Sequence, residues 1–310
     1  MANHSLSDYV QELTTKKAAW LGQIVFFSVP EATIVKERSL KKILNQAQLD
    51  QFLPALPRPS NVFRRVSSAH NMKRVPTDDP NVFEDYRTEE VIRQDRRIVK
   101  DIVVRQTNLR DEELRHQPQV RLEFNNVTGE LSHYWLKTAG RRKNPQSLAV
   151  AELIADDFAA VVDSYNCTML RGMFRHVLSS SRSTLIQKKA YFVSSNYAEY
   201  VAGLQFVGDS IPGVEVAAIP LVDTQQQREM IRQAYISETL DEIDRTLVEL
   251  DKFKGQDISS DQYASILVAK DELKSRTREY QDLLGVALDE ADIRIKVYEK
   301  RVGTLLKYVK

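Results

Sequence analysis

The chain has 310 residues, 42% of them hydrophobic and 28% charged, with 44 basic and 43 acidic side chains for a net charge of +1. This composition excludes disorder along its whole length, and the balanced charge excludes a global field that would draw it to nucleic acid or membrane. One cysteine, Cys167, excludes an internal disulfide and any multi-cysteine metal site.

In chain order, the N-terminal MANHSLSDYVQELTTKK lacks the basic segment and apolar run of a secretory signal. Residues 5–19 read instead as a short helix. Gln23 to Val29 (QIVFFSV), closed by Pro30, reads as a buried strand. Ser39 to Phe52 places Leu40, Ile43, Leu44, Ala47 and Leu49 along one helical side, and Pro54, Pro57 and Pro59 stop it. Residues 70–89 carry two prolines and many charges without an apolar period, the pattern of an internal linker. Strands follow at Arg97 to Gln106, Gln119 to Asn125 and Glu130 to Leu136, the last two joined through a turn at Asn126 to Gly129.

Thr138 to Gln146 reads as a basic turn. It leads into an apolar helix from Ser147 to about Tyr165, with a continuation to Val177 left open. Ala190 to Ser194 and Val214 to Leu221 read as strands around a helix at Ala198 to Phe206. From Thr224 to Val309 there is no proline and everything reads as helix, with breaks near Gly255 and Gly285. The expected fold is α+β: a mixed body over residues 1–223 and a long helical hairpin or coiled-coil arm over 224–310. No stretch approaches the roughly 18 apolar residues of a membrane span.

Few of the patterns that carry chemistry are present. There is no G-x-G-x-x-G, no P-loop and no G-x-S-x-G elbow. His4, His70, His116, His133 and His176 are scattered without metal-ligand spacing. Cys167, in YNCTML, reads as a small core side chain. No metal, cofactor or catalytic residue is expected, and an enzyme is the weaker reading. One phosphate-handling alternative rests on the polar run Ser179 to Thr184, with Arg182, Lys188 and Asp223 near it.

The basic residues carry the stronger alternative. Between Lys137 and Lys189 nine basic groups face four acidic ones. Arg141, Arg142 and Lys143 sit on one turn, and Arg171, Arg175, Arg182, Lys188 and Lys189 on or after a helix. Brought together they would track phosphates, with Tyr191, Phe192 or Tyr197 available to stack on bases. In the C-terminal third, Ile236, Leu240, Ile243, Leu247 and Leu250 recur at steps of four and three, and Ile295, Tyr298, Val302, Leu305 and Val309 continue the apolar series. A seam of this length is the expected interface for self-association or a protein partner.

The segment SRSTLIQKKAYFVSSNYAEYVAGLQ, followed by VAAIPLVDTQQQREMIRQAY, resembles an uncharacterised family of bacterial and phage proteins. The likeness rests on Arg182, Tyr191 to Val193 and Pro220 to Asp223. It implies a prokaryotic or phage origin and carries no activity. The reading from sequence is therefore a non-enzymatic binding or assembly protein, cytoplasmic (in the host cytoplasm if phage-encoded), with nucleic-acid binding as the alternative.

Overall fold

The structure, a computed structural model, describes residues 20–139, 143–253 and 258–309. The helix expected over 5–19 and the break expected near Gly255 lie outside the described residues. The fold is α+β, and its packing gives two units. One holds the described residues of 1–33, 41–53 and 167–310, and the other residues 34–40 and 54–166.

The first unit is built on a four-stranded antiparallel sheet. Its strands are β1 (Trp20–Ser28), β9 (Thr184–Gln187), β10 (Ala190–Ser194) and β11 (Glu215–Val222), in the order β11-β1-β10-β9. The apolar run that marks β1 in sequence is central here. It pairs with β10 on one side and β11 on the other, with Ile24 opposite both Phe192 and Ile219. Gly22 is needed at the crowded end, because a Cβ there would stand 2.1 Å from the Val193 carbonyl oxygen.

Strand alternation sends Ile24 and Phe27 to opposite faces. On the Phe27 face lie α4 (Cys167–Ser180) and α5 (Ala198–Ser210). The other face packs on α6 (Gln225–Asp251) and α7 (Ser260–Leu284). There Leu21, Phe192 and Leu221 meet Ile231, Tyr235, Tyr280 and Leu284. The Tyr235 and Tyr280 rings stack with centroids 4.2 Å apart. Their hydroxyls are satisfied in the interior by Thr277 and by the Arg182 carbonyl.

Beyond the sheet, α6, α7 and α8 (Asp289–Leu305) continue as a three-helix bundle. Its core is Ile243, Leu250, Ile258, Leu273, Ile295, Tyr298, Val302 and Leu305. Local chemistry sets the helix ends. Thr224 caps α6, and Ser259 with Gln262 forms a capping box on α7. Gly285 closes α7 in the left-handed conformation at φ 64°, which is the break its glycine announces.

The second unit is a five-stranded antiparallel meander of β3 (Met72–Pro76), β4 (Val82–Gln94), β5 (Arg97–Asn108), β6 (Glu113–Asn125) and β7 (Leu131–Trp135). Residues read from sequence as a linker are thus largely strand. The charges of β4 hide its period because many are paired along and across strands. Asp85 meets Arg87, and Glu84 accepts from Gln106 and from Tyr86.

One face of the meander is covered by α2 (Pro59–Ala69) and α3 (Pro145–Val161), with Phe63, Phe124 and Phe158 in mutual ring contact. The apolar helix expected to run on from Ser147 ends at Val161. Its chain then forms a short strand, β8 (Ser164–Asn166), pairing with β2 (Ile34–Lys36), before α4 begins. Tyr165, buried and donating to the Pro54 carbonyl, anchors that interruption. Helix α1 (Glu37–Gln46) runs across the boundary at residues 40 and 41.

Candidate functional site

At one end of the first unit, Phe27, Ser28, Val29, Glu31, Arg171, Arg175, Lys189 and Tyr191 line a cleft of about 430 Å³. Its chemistry follows from the elements that form it. Leu170, Met173, Phe174, Val177 and Leu178 bury one side of α4. Arg171 and Arg175, one turn apart, share another side. The Arg171 guanidinium donates from Nε and Nη2 to the Val29 carbonyl just beyond β1, which holds it at the cleft wall. Lys189 comes from the tight turn between β9 and β10, where the strands are joined through Lys188 and Lys189.

Aromatic rings form the apolar wall. Phe27 stacks on Phe174 with centroids 5.2 Å apart, and Tyr191 lies nearly parallel to Phe27 at 6.2 Å and 21°. Tyr191 is only partly buried. Arg175 and Lys189 are exposed, and no carboxylate among the described residues pairs with either. Glu31 is the one acid among the described residues that line the cleft. The result is a cationic, aromatic-walled recess, suited to an anion that carries a flat ring.

Of the basic residues singled out by sequence, the fold therefore brings Arg175 and Lys189 together, with Arg171 and Tyr191 beside them. Lys188 shares their hairpin turn without lining the cleft. Arg182 does not join them. It turns the chain between α4 and β9 at φ 51°, with its side chain 3.0 Å from Glu272 and 2.7 Å from Glu279. These carboxylates overcome its partial burial and hold its pKa above the ordinary arginine value. Its charge is already neutralised inside the protein, so it is a structural residue. Lys143 lies in the second unit, 5.3 Å from the centre of the Trp135 ring. Arg141 and Arg142 lie outside the described residues. The basic stretch 137–189 is thus divided between two units.

The apolar seam also has a different role from the expected one. Ile236, Ile243, Leu250, Ile295, Tyr298, Val302 and Leu305 are all buried in this chain's own helices and sheet, and Leu240 and Leu247 pack partly buried against the same clusters. Periodicity identifies a helix that needs a covered face and does not say which surface covers it. Here the cover is intramolecular.

Phe27 and Glu31 escaped the sequence reading. The doublet Phe26-Phe27 held the signal for Phe27, since adjacent strand residues point to opposite faces. Nothing local distinguishes Glu31 from other surface acids. Among the described residues, no three His, Cys, Asp or Glu side chains stand where they could hold a metal ion, and no helix is long and apolar enough to cross a membrane.

Comparison with curated proteins and with solved structures returned no match. A family model, the family of unknown function DUF6744, matches residues 20–310, and the chain belongs to that family.

Proposed function

We propose that this protein is a non-enzymatic nucleic-acid-binding protein whose contact surface is the cleft of Arg171, Arg175, Lys189 and Tyr191. The observation that carries this reading is the convergence, in one recess, of a half-buried tyrosine and cations that no carboxylate among the described residues pairs with. Phosphates supply affinity through such cations, and base faces pack on such rings. The near-neutral charge of the whole chain is compatible with this, because the attraction is local.

The test is fluorescence anisotropy with labelled DNA and RNA oligonucleotides at two salt concentrations. Binding that weakens with salt, and weakens further in Arg175→Ala and Lys189→Ala, supports the reading. No binding at micromolar protein in low salt refutes it.

Association through the C-terminal helices is a second reading, and Ile293 and Val297 favour it. They lie one turn apart on α8 and are 62% and 45% exposed. Any such contact would use these outer residues in place of the buried seam. Light scattering on the full chain and on Ile293→Lys/Val297→Lys distinguishes an oligomer from a monomer.

A further inference from the structure

Resting on that reading, we infer that the cleft takes a single strand, with one base packed on the exposed part of the Tyr191 ring and its flanking phosphates on Arg171, Arg175 and Lys189. Three observations bear on the form of the ligand.

The first is the ring geometry. Phe174 to Phe27 is a stacked contact at 5.2 Å and 24°, and Phe27 to Tyr191 continues it at 6.2 Å and 21°. All three rings are held in place by the sheet and α4, and Leu185 stands opposite Tyr191 on the side away from β1, so the exposed part of the Tyr191 ring is the part that lines the cleft. A planar base entering the cleft packs on a ring whose order is already fixed by its neighbours. A duplex keeps its base faces covered by neighbouring pairs, so it offers nothing to Tyr191. An unpaired base exposes both faces.

The second is the placement of charge around that ring. Arg171 and Arg175 stand on one side of the recess, about 6 Å apart along the helix axis. Lys189 comes from the hairpin turn on a separate element. Cations from two separate elements can hold the phosphates before and after one nucleotide. Arg171 is pre-oriented by its two bonds to the Val29 carbonyl, which lowers the ordering cost of using it.

The third is the size of the recess. A volume of 430 Å³ is at the scale of a small-molecule pocket. It admits one base with its sugar, whereas a duplex could meet only the rim cations. Stacking accepts any base, so the inference predicts little sequence preference.

The experiment separates this inference from the reading beneath it. Anisotropy is measured for a single-stranded oligonucleotide, the same strand annealed to its complement, and a single strand with several abasic sites, which keeps phosphates and removes bases. The protein is full-length wild type, Tyr191→Phe and Tyr191→Leu, each checked by thermal unfolding. Expected are tighter binding to the single strand than to the duplex, a loss of about fivefold or more with the abasic strand or with Tyr191→Leu, and near-full binding by Tyr191→Phe. Equal affinity for all three ligands, with Tyr191→Leu matching wild type, overturns the single-strand inference and leaves phosphate-driven binding standing. Absence of binding to every oligonucleotide overturns both.

Discussion

Lys100 Nζ donates a 2.7 Å hydrogen bond to Ser67 Oγ, and both side chains are buried beneath α2 in the second unit. The ammonium also lies 5.7 Å from the centre of the Phe63 ring. No carboxylate reaches it within ion-pair distance among the described residues. Burial therefore dominates and lowers its pKa, only partly opposed by the attraction of Glu90. A neutral linear side chain of similar length should be tolerated: Lys100→Met is expected to keep or raise stability by about 1 kcal/mol in urea unfolding.

The same lysine gives a pH dependence with a definite sign. Because its folded pKa lies below the unfolded one, the unfolded chain binds more protons between the two values. Its penalty is full below the folded pKa and is relieved as pH rises towards the ordinary lysine value. The advantage of Lys100→Met over wild type should shrink between pH 7 and pH 10. An advantage that grows with pH would show that Lys100 is stabilised as a cation.

Glu238 on α6 accepts the Leu185 backbone N–H at 3.1 Å, and burial raises its pKa despite that bond and the nearby Arg276. A raised carboxylate favours folding below its unfolded pKa and loses that contribution as pH rises through the folded value. Glu238→Gln keeps an acceptor for Leu185 and removes the partly buried charge. Its melting temperature relative to wild type should be higher at pH 7.5 than at pH 4, as calorimetry can measure.

Arg175→Ala and Lys189→Ala remove exposed cations from the cleft. Each should change stability by less than about 0.5 kcal/mol. Each should reduce the slope of log affinity against log salt by up to about 0.7 for a single strand. Arg182→Ala should behave oppositely, costing about 1–2 kcal/mol through the loss of its bonds to Glu279 and Glu272 and leaving the salt slope unchanged. Urea unfolding and salt titrations of the three variants, run side by side, check the division of roles.

Ile243→Ala tests what the seam does. Ile243 is fully buried in the three-helix core, so truncation should cost about 2–5 kcal/mol. That loss should not depend on protein concentration, since residues of the same chain supply the packing. A midpoint that falls on dilution would instead place an interface there.

Much of this architecture is written in local pattern. QIVFFSV announces β1, the turn at Asn126 to Gly129 joins β6 to β7, and Gly285 ends α7 where its freedom at positive φ is needed. Patterns failed where partners far apart in sequence decide the outcome. The charges of β4 look like a linker until cross-strand partners are known, and the apolar stretch after Ser147 looks like one helix until β8 finds β2. The cleft was half legible for the same reason. Arg171, Arg175 and Lys189 were visible as basic residues, but sequence could not show that Arg182 is consumed by Glu279 while no carboxylate among the described residues pairs with Arg175.

The pairing of β1 also sets a timetable for synthesis. Its two neighbours are β10 and β11, which follow it by more than 160 residues, and the stretch 54–166 is translated in between. At about 5–20 residues per second, β1 waits on the order of ten seconds with an apolar surface uncovered. The meander with α2 and α3 is meanwhile complete as soon as residue 161 clears the ribosome. A chain truncated near residue 180 should therefore retain protease resistance over 54–166 while its first strand is digested.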